Sequence, residues 1–214
     1  MTDTPQEVVP PRRITPATPD EFGLVQVWWG EGKGKTTAAI GMGFRAIGHG
    51  YRVHMLQFMK GGAASVEDVR GEYNAIAATP GFSYENRGHY GWHVSGDDEP
   101  DHAAQAQAGL KRAQELVAAA SDAGTAALPP DAPPERGCHM LILDEILYAA
   151  NRQLIEPEAV VELVATKPAE LELVCTGGHQ EPTYVLSQAD LVSHVEKQHH
   201  PIEDGQTARK GTEY

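Results

Sequence analysis

The sequence predicts an α/β protein: a single three-layer domain in which helices cover both faces of a mostly parallel sheet. Three observations predict it. Four short, nearly unbroken apolar runs, at residues 24–29, 52–58, 139–144 and 171–176, read as strands buried on both faces. Helix-forming stretches separate these runs, and strand–helix–strand alternation implies right-handed crossovers and parallel pairing. The length, 214 residues, suits one well-cored domain and is short for two.

In order along the chain, residues 1–22 carry Pro5, Pro10, Pro11, Pro16 and Pro19, too many prolines for a helix, and read as a flexible N-terminal arm. The domain proper then spans 23–214. Its first strand, 24–29, runs into the glycine-rich string GEGKGKTT, and residues 38–47 form a helix closed by Gly48, His49 and Gly50. A second strand, 52–58, ends at Lys60-Gly61-Gly62. Residues 66–78 read as a helix that Thr79-Pro80-Gly81 stops, and 82–100 as a loop rich in glycine, histidine and aromatics. The longest helix is expected at 101–123, where alanine, glutamine and leucine dominate. Four prolines between 124 and 137 mark a surface insertion. A third strand at 139–144 leads into a short helix reaching Asn151, and Pro157 takes the first position of a helix ending at Thr166. A strand at 171–176, a helix at 183–188, an edge strand at 190–195 and a polar tail from 197 to 214 complete the pattern. No internal repeat is visible.

Composition narrows the function. The formal charge of -13 opposes a nucleic-acid partner, because backbone phosphates demand a basic surface. No run of eighteen or so apolar residues exists, so no membrane span is expected. The first residues lack the basic start and apolar core of a signal peptide, and the expected compartment is the cytoplasm. Cys138 and Cys175 lie far apart, in or beside predicted core strands, and read as buried reduced thiols.

The chemistry is carried first by Gly30-Glu31-Gly32-Lys33-Gly34-Lys35-Thr36-Thr37, placed between a buried strand and a helix. Glycines let the backbone wrap an anion with its N–H groups inward, and the helix N-terminus adds its dipole. Lys35 supplies a point charge for phosphates, and the Thr36 hydroxyl is placed to ligate Mg2+. The spacing is shorter than G-x-x-x-x-G-K-[ST], since three residues separate Gly30 from Gly34 and Trp29 takes the place of the usual first glycine. The string predicts a P-loop that binds ATP, within a P-loop NTPase fold of the RecA-like kind. The run LILDE ends a buried strand with two carboxylates. Asp144 is then the residue to hold Mg2+, directly or through water, beside Thr36. Glu145 either ligates the metal, bonds the sugar or, in an ATPase, activates water.

The string GEGKGKTTAAIGMGFRAIGHGYRVHMLQFMKG, with GFSYEN, LILDEILY, the Thr176-Gly177 pair and the closing GQTARKGTEY, resembles the P-loop type of ATP:corrinoid adenosyltransferase. The matching blocks span roughly residues 24–214 in the order found in that family. The resemblance implies transfer of the 5′-deoxyadenosyl group of ATP to the Co(I) of a corrinoid, with release of triphosphate. It implies that Lys35 and Lys33 face the triphosphate. It also matches Arg45 to an arginine of the family, either a nucleotide contact or a solvated helix-face residue. Phe82 and Tyr84 match the aromatic pair that crowds the lower face of cobalt and eases its reduction. Many relatives carry tryptophan where this chain has Tyr84. A reductase supplying Co(I) and a homodimer, with the N-terminal arm reaching a neighbouring site, are further implications.

One departure stands out. Relatives often read T-G-R after the last core strand, with the arginine near the triphosphate, where this chain has Thr176-Gly177-Gly178. His179 or Gln180 is the expected substitute for that charge. The ten histidines show no zinc-like spacing, although His89 and His93 fall in the aromatic loop. Two other readings remain open: a P-loop ATPase or small-molecule kinase, and a non-catalytic ATP and corrinoid carrier or sensor.

Overall fold

A computed structural model describes residues 13–60, 70–88 and 99–213. The elements follow as β1 (Val25–Trp29), α1 (Lys35–Gly48), β2 (Val53–Phe58), α2 (Gly71–Ala77), β3 (Phe82–Arg87) and α3 (Glu99–Ala123). Then come β4 (Met140–Asp144), α4 (Ile146–Asn151), α5 (Pro157–Thr166), β5 (Glu172–Thr176), α6 (Thr183–Leu186) and β6 (Leu191–His194). Six strands form one sheet in the order β3-β2-β4-β5-β1-β6, and every pairing is parallel. A further strand, β5, thus separates the glycine-loop strand β1 from the carboxylate strand β4, the RecA-like arrangement predicted above.

Both faces of the sheet are packed, as the continuous apolar runs required. In β4, Met140 and Ile142 join Val53, Met55, Phe82 and Val174 under α1 and α2. Leu141 and Leu143 point to the other side, into the core formed with α3, α4, α5 and α6. Cys138 and Cys175 are buried free thiols, and loss of solvation pushes both up to about 12. Among the described residues no helix is long and apolar enough to cross a membrane.

The segment expected as a loop over 82–100 begins instead with β3, in register with β2 from Val53 opposite Phe82 to Phe58 opposite Arg87. FSYENR carries no apolar run because it is an edge strand. Phe82 and Tyr84 pack towards α1, whereas Glu85 receives the Arg112 guanidinium of α3 at 2.6 and 3.0 Å. Residues 89–98 of the same expected loop, with His89 and His93, lie outside the described residues. So do 61–69, which include the first residues of the helix expected at 66–78, and 1–12 of the arm. Arm residues that are described lie against the α1–β2 turn, where Ala17 N–H donates to Gly50 O at 3.1 Å.

The proline-rich segment 124–137 is tied to the end of the sheet away from the glycine loop. Leu128 and Ala132 are buried, and Pro130 O accepts from Gly81 N–H at 3.2 Å. Arg52, buried just before β2, donates to Ala132 O, Gly81 O and Ser83 Oγ, which joins that segment to two strands.

Candidate nucleotide site

In a parallel sheet all strands end on one edge, where open α/β proteins hold their ligands. The glycine loop follows β1 on this edge, Lys60 follows β2, Glu145 follows β4 and Gly177 follows β5. The loop, Lys60 and Glu145 meet around a pocket of about 440 Å³ lined by Gly32 to Thr37, Ile40, Lys60, Arg70 to Glu72, Glu145 and Gly211 to Glu213. That volume lies within the usual range for small-molecule sites.

The loop glycines answer two demands. Gly30 and Gly34 take φ values of 118° and 119°, a region that side chains rarely adopt. Gly32 lies against the end of β6: its N–H donates to Val195 O at 2.7 Å, and a Cβ there would meet Glu196 O at 2.5 Å. Lys35 Nζ donates to Gly30 O at 2.5 Å and Gly32 O at 2.9 Å, so its ammonium curls across the mouth of the loop. Burial holds Lys35 below the ordinary lysine value, with the Glu145 carboxylate opposing that shift. Thr37 and Lys33 line the pocket, whereas Gly30 forms the floor of the loop and Glu31 is exposed outside it.

Asp144 is the centre of the site. It is fully buried and accepts four donors: Thr36 Oγ1 at 2.9 Å, Thr176 Oγ1 at 2.6 Å, Gln57 Nε2 at 2.6 Å and Lys60 Nζ at 3.3 Å. Burial alone would raise its pKa; the Lys60 charge and the three neutral donors outweigh burial and hold it below the ordinary carboxylate value. Glu145 follows in the left-handed region at φ 64°, which turns its carboxylate to Lys60 Nζ at 2.9 Å. The structure brings Thr36, Asp144 and Glu145 together and adds Lys60, Gln57 and Thr176, which sequence reasoning does not single out. The available signal was Lys60 itself, a cation closing the second strand on the edge where the loop closes the first.

The predicted polar tail is the other surprise. It turns back so that Gly211, Thr212 and Glu213 form one wall of the pocket. Lys33 Nζ meets Glu213 Oε1 at 3.1 Å and Thr212 O at 3.1 Å, and Arg209 holds the same glutamate at 3.0 Å.

Of the two alternatives for Arg45, its position is that of the solvated helix-face residue, exposed and away from the glycine loop. It lies near the far end of α1, ~15 Å along the axis from Lys35, and borders a separate small cavity with Phe22, Tyr51 and Glu172. The helical rise between residues 35 and 45 separates it from the phosphate loop. Phe82 is also not brought to the pocket: it is 5% exposed, its ring lying edge-on to Phe44 and close to Gly43. Tyr84 is half-buried and stacks on Tyr73 with ring centres 4.8 Å apart. Tyr73 OH in turn donates to Gln57 Oε1, which links the aromatic pair to Asp144.

The Thr176-Gly177-Gly178 turn has its own reason. Gly178 sits at φ 76°, its carbonyl accepts from Gly30 N–H at 2.9 Å, and a Cβ would lie 2.6 Å from Asn151 Oδ1. Restoring arginine by Gly178→Arg is expected to lower stability by about 1–3 kcal/mol through positive φ and overpacking, and to weaken ATP binding rather than strengthen it. Thermal unfolding and ATP titration of that variant check this; tighter ATP binding at unchanged stability would refute it.

Comparison with known proteins agrees with this geometry. The family model for ATP:corrinoid adenosyltransferase BtuR/CobO/CobP matches residues 21–214. A corrinoid adenosyltransferase of Pseudomonas aeruginosa is 30% identical over 200 residues, which is 91% of this chain and 85% of that protein. One from Escherichia coli is 29% identical over 201 residues, covering 91% and 87%. The corrinoid adenosyltransferase CobA of Salmonella typhimurium is 28% identical over 201 residues, covering 91% and 87%. The matched range takes in the glycine loop, the buried aspartate and the closing tail, and the chain belongs to the ATP:corrinoid adenosyltransferase family.

Proposed function

We infer that this protein transfers the 5′-deoxyadenosyl group of ATP to the Co(I) of a corrinoid, in adenosylcobalamin biosynthesis or salvage. The observation that carries the reading is the cluster of Lys35, Thr36, Lys60 and Asp144 on a pocket of nucleotide size, in a chain of this family. In the reaction the electron pair of Co(I) forms a bond to C5′. The C5′–O bond breaks, and its pair leaves on triphosphate. Little covalent work falls to the protein. It must hold C5′ in line with cobalt and stabilise the departing anion.

Lys35, Lys33 and the N-terminal end of α1 serve the second task. For Mg2+ the donor set fits: Thr36 Oγ1, Asp144 and Glu145 already share one cation, the Lys60 ammonium. Mg2+ bound there supplies charge to the leaving triphosphate. For the corrinoid, the half-buried Tyr84 supplies apolar surface, held from beneath by its stacking partner Tyr73 and, with Phe82, part of the same core cluster. A separate reductase delivers Co(I), and assembly as a homodimer in the cytoplasm completes the reading.

The kinase or ATPase reading is weaker, because Glu145 shares one cation position with Thr36 and Asp144, which commits its carboxylate to the metal rather than to activating water. Anaerobic incubation with ATP, Mg2+ and chemically reduced cob(I)alamin separates the possibilities. Light-sensitive adenosyl–cobalt product and triphosphate in equal amounts, over many turnovers, are expected. ADP and phosphate with an unchanged cobalt spectrum would replace this reading by the ATPase, and binding without turnover by the carrier.

A further inference from the structure

Lys60 occupies an unusual position in the site. Its ammonium lies 2.9 Å from Thr36 Oγ1, 2.9 Å from Glu145 Oε1 and 3.3 Å from Asp144 Oδ2. These are the same three oxygens assigned above to Mg2+. An ammonium has three donors and no acceptor, so three converging oxygens satisfy it fully. Lys35 does not share this role, since its Nζ is turned to the carbonyls of Gly30 and Gly32.

The backbone is shaped to place Lys60 there. Met59, buried at the end of β2, takes φ 61°, and Lys60 N–H returns to Phe58 O at 2.6 Å. This is a γ-turn with a positive central φ, a rare and strained conformation for a residue with a side chain. The turn reverses the chain as β2 ends, and Gln57 two residues earlier is bonded to the same Asp144. Strain and side-chain chemistry therefore serve one outcome: a cation is delivered to a buried carboxylate from the neighbouring strand. The Lys60 side chain also lines the pocket, with 18% of its surface exposed, so its flexible stem has somewhere to swing.

We propose that Lys60 is the internal counter-cation of the Mg2+ site. In the nucleotide-free protein it holds Thr36, Asp144 and Glu145 together. It yields those oxygens to the divalent ion that arrives with ATP, and its ammonium then turns to the triphosphate. Lys60 is thus a positioning residue in the empty site and a phosphate contact in the loaded one. The proposal rests on the assignment of those three residues to the cation. It explains how a buried aspartate remains ionised and organised before any metal is present.

The test uses Mn2+ as the probe, measured by its free-ion paramagnetic resonance signal, first without nucleotide and then with ATP. Without nucleotide, Lys60→Gln is expected to bind Mn2+ at least tenfold more tightly than the wild type, because the internal competitor is gone. Lys60→Arg, which keeps the charge, is expected to show no such gain. A measurement on the wild type needs no variant to fold: brief acylation of amines, read by mass spectrometry, should modify Lys60 several-fold faster once Mn2+ is saturating. If the wild type, with ATP present, takes up Mn2+ beyond what the same ATP binds alone, but Lys60→Gln gains nothing and Lys60 labelling does not rise, the counter-cation role is wrong and the Mg2+ assignment survives. If neither protein takes up Mn2+, without ATP or beyond what ATP binds alone, the Mg2+ assignment falls and this role falls with it.

Discussion

Replacing Lys35 by alanine is expected to lower kcat/KM for ATP by about 10²–10³-fold while leaving the fold intact. The magnitude is that of removing one well-placed donor from a developing anion. The loss should appear in kcat as well as KM, because charge on the triphosphate grows as the C5′–O bond breaks. The intact fold follows from the partners of Lys35. Its ammonium reaches the loop carbonyls of Gly30 and Gly32, so its removal strands no buried carboxylate. Steady-state kinetics with reduced corrinoid, paired with thermal unfolding, checks both halves. Wild-type activity would remove Lys35 from the machinery, and a large fall in Tm would make it a structural strut of the loop.

Asp144→Ala should behave in the opposite way and damage stability and activity together. The side chain is 0% exposed and is the common acceptor for Thr36, Thr176, Gln57 and Lys60. Truncation leaves three neutral donors without their acceptor and removes one of the two carboxylates paired with Lys60. Breaking a buried pair by deleting one partner costs about 3–5 kcal/mol, which for a chain of this size is a fall in Tm of roughly 10 °C. Asp144→Asn separates the two effects. Its amide oxygen still accepts from Thr36 and Thr176, but its NH₂ then faces the NH₂ of Gln57 and the ammonium of Lys60. Intermediate stability is expected, with activity lost by about 10³-fold along with Mg2+ dependence. If Asp144→Asn keeps wild-type activity, Mg2+ is not held at this carboxylate.

Much of this architecture can be read from short stretches of chain. Residues 27–29 and 140–143 are apolar at consecutive positions, which a strand covered on both faces requires and a half-exposed strand does not. The glycine spacing of 30–34 before a helix marks an anion loop without reference to any other segment. By the same logic β3 was missed. FSYENR begins by alternating aromatic with polar residues, and Glu85 and Ser83 find their partners far along the chain, in Arg112 of α3 and in Arg52. No local rule distinguishes such an edge strand from a loop.

The site divides along the same line. Gly30 to Thr37, with Asp144 and Glu145, are legible because each motif is a few residues long and its chemistry is local. The convergence of Gln57, Lys60 and Thr176 on Asp144, and the return of Glu213 to Lys33, depend on the strand order β3-β2-β4-β5-β1-β6 and on where each parallel strand ends. Arg45 illustrates the converse: it shares a helix with the loop, yet the rise of that helix carries it to another cavity. Residue types and their periodicity act over a few bonds and persist in any context. Which distant side chains share one buried charge is decided only when packed strands place their ends side by side, and there the low dielectric makes every unpaired group costly.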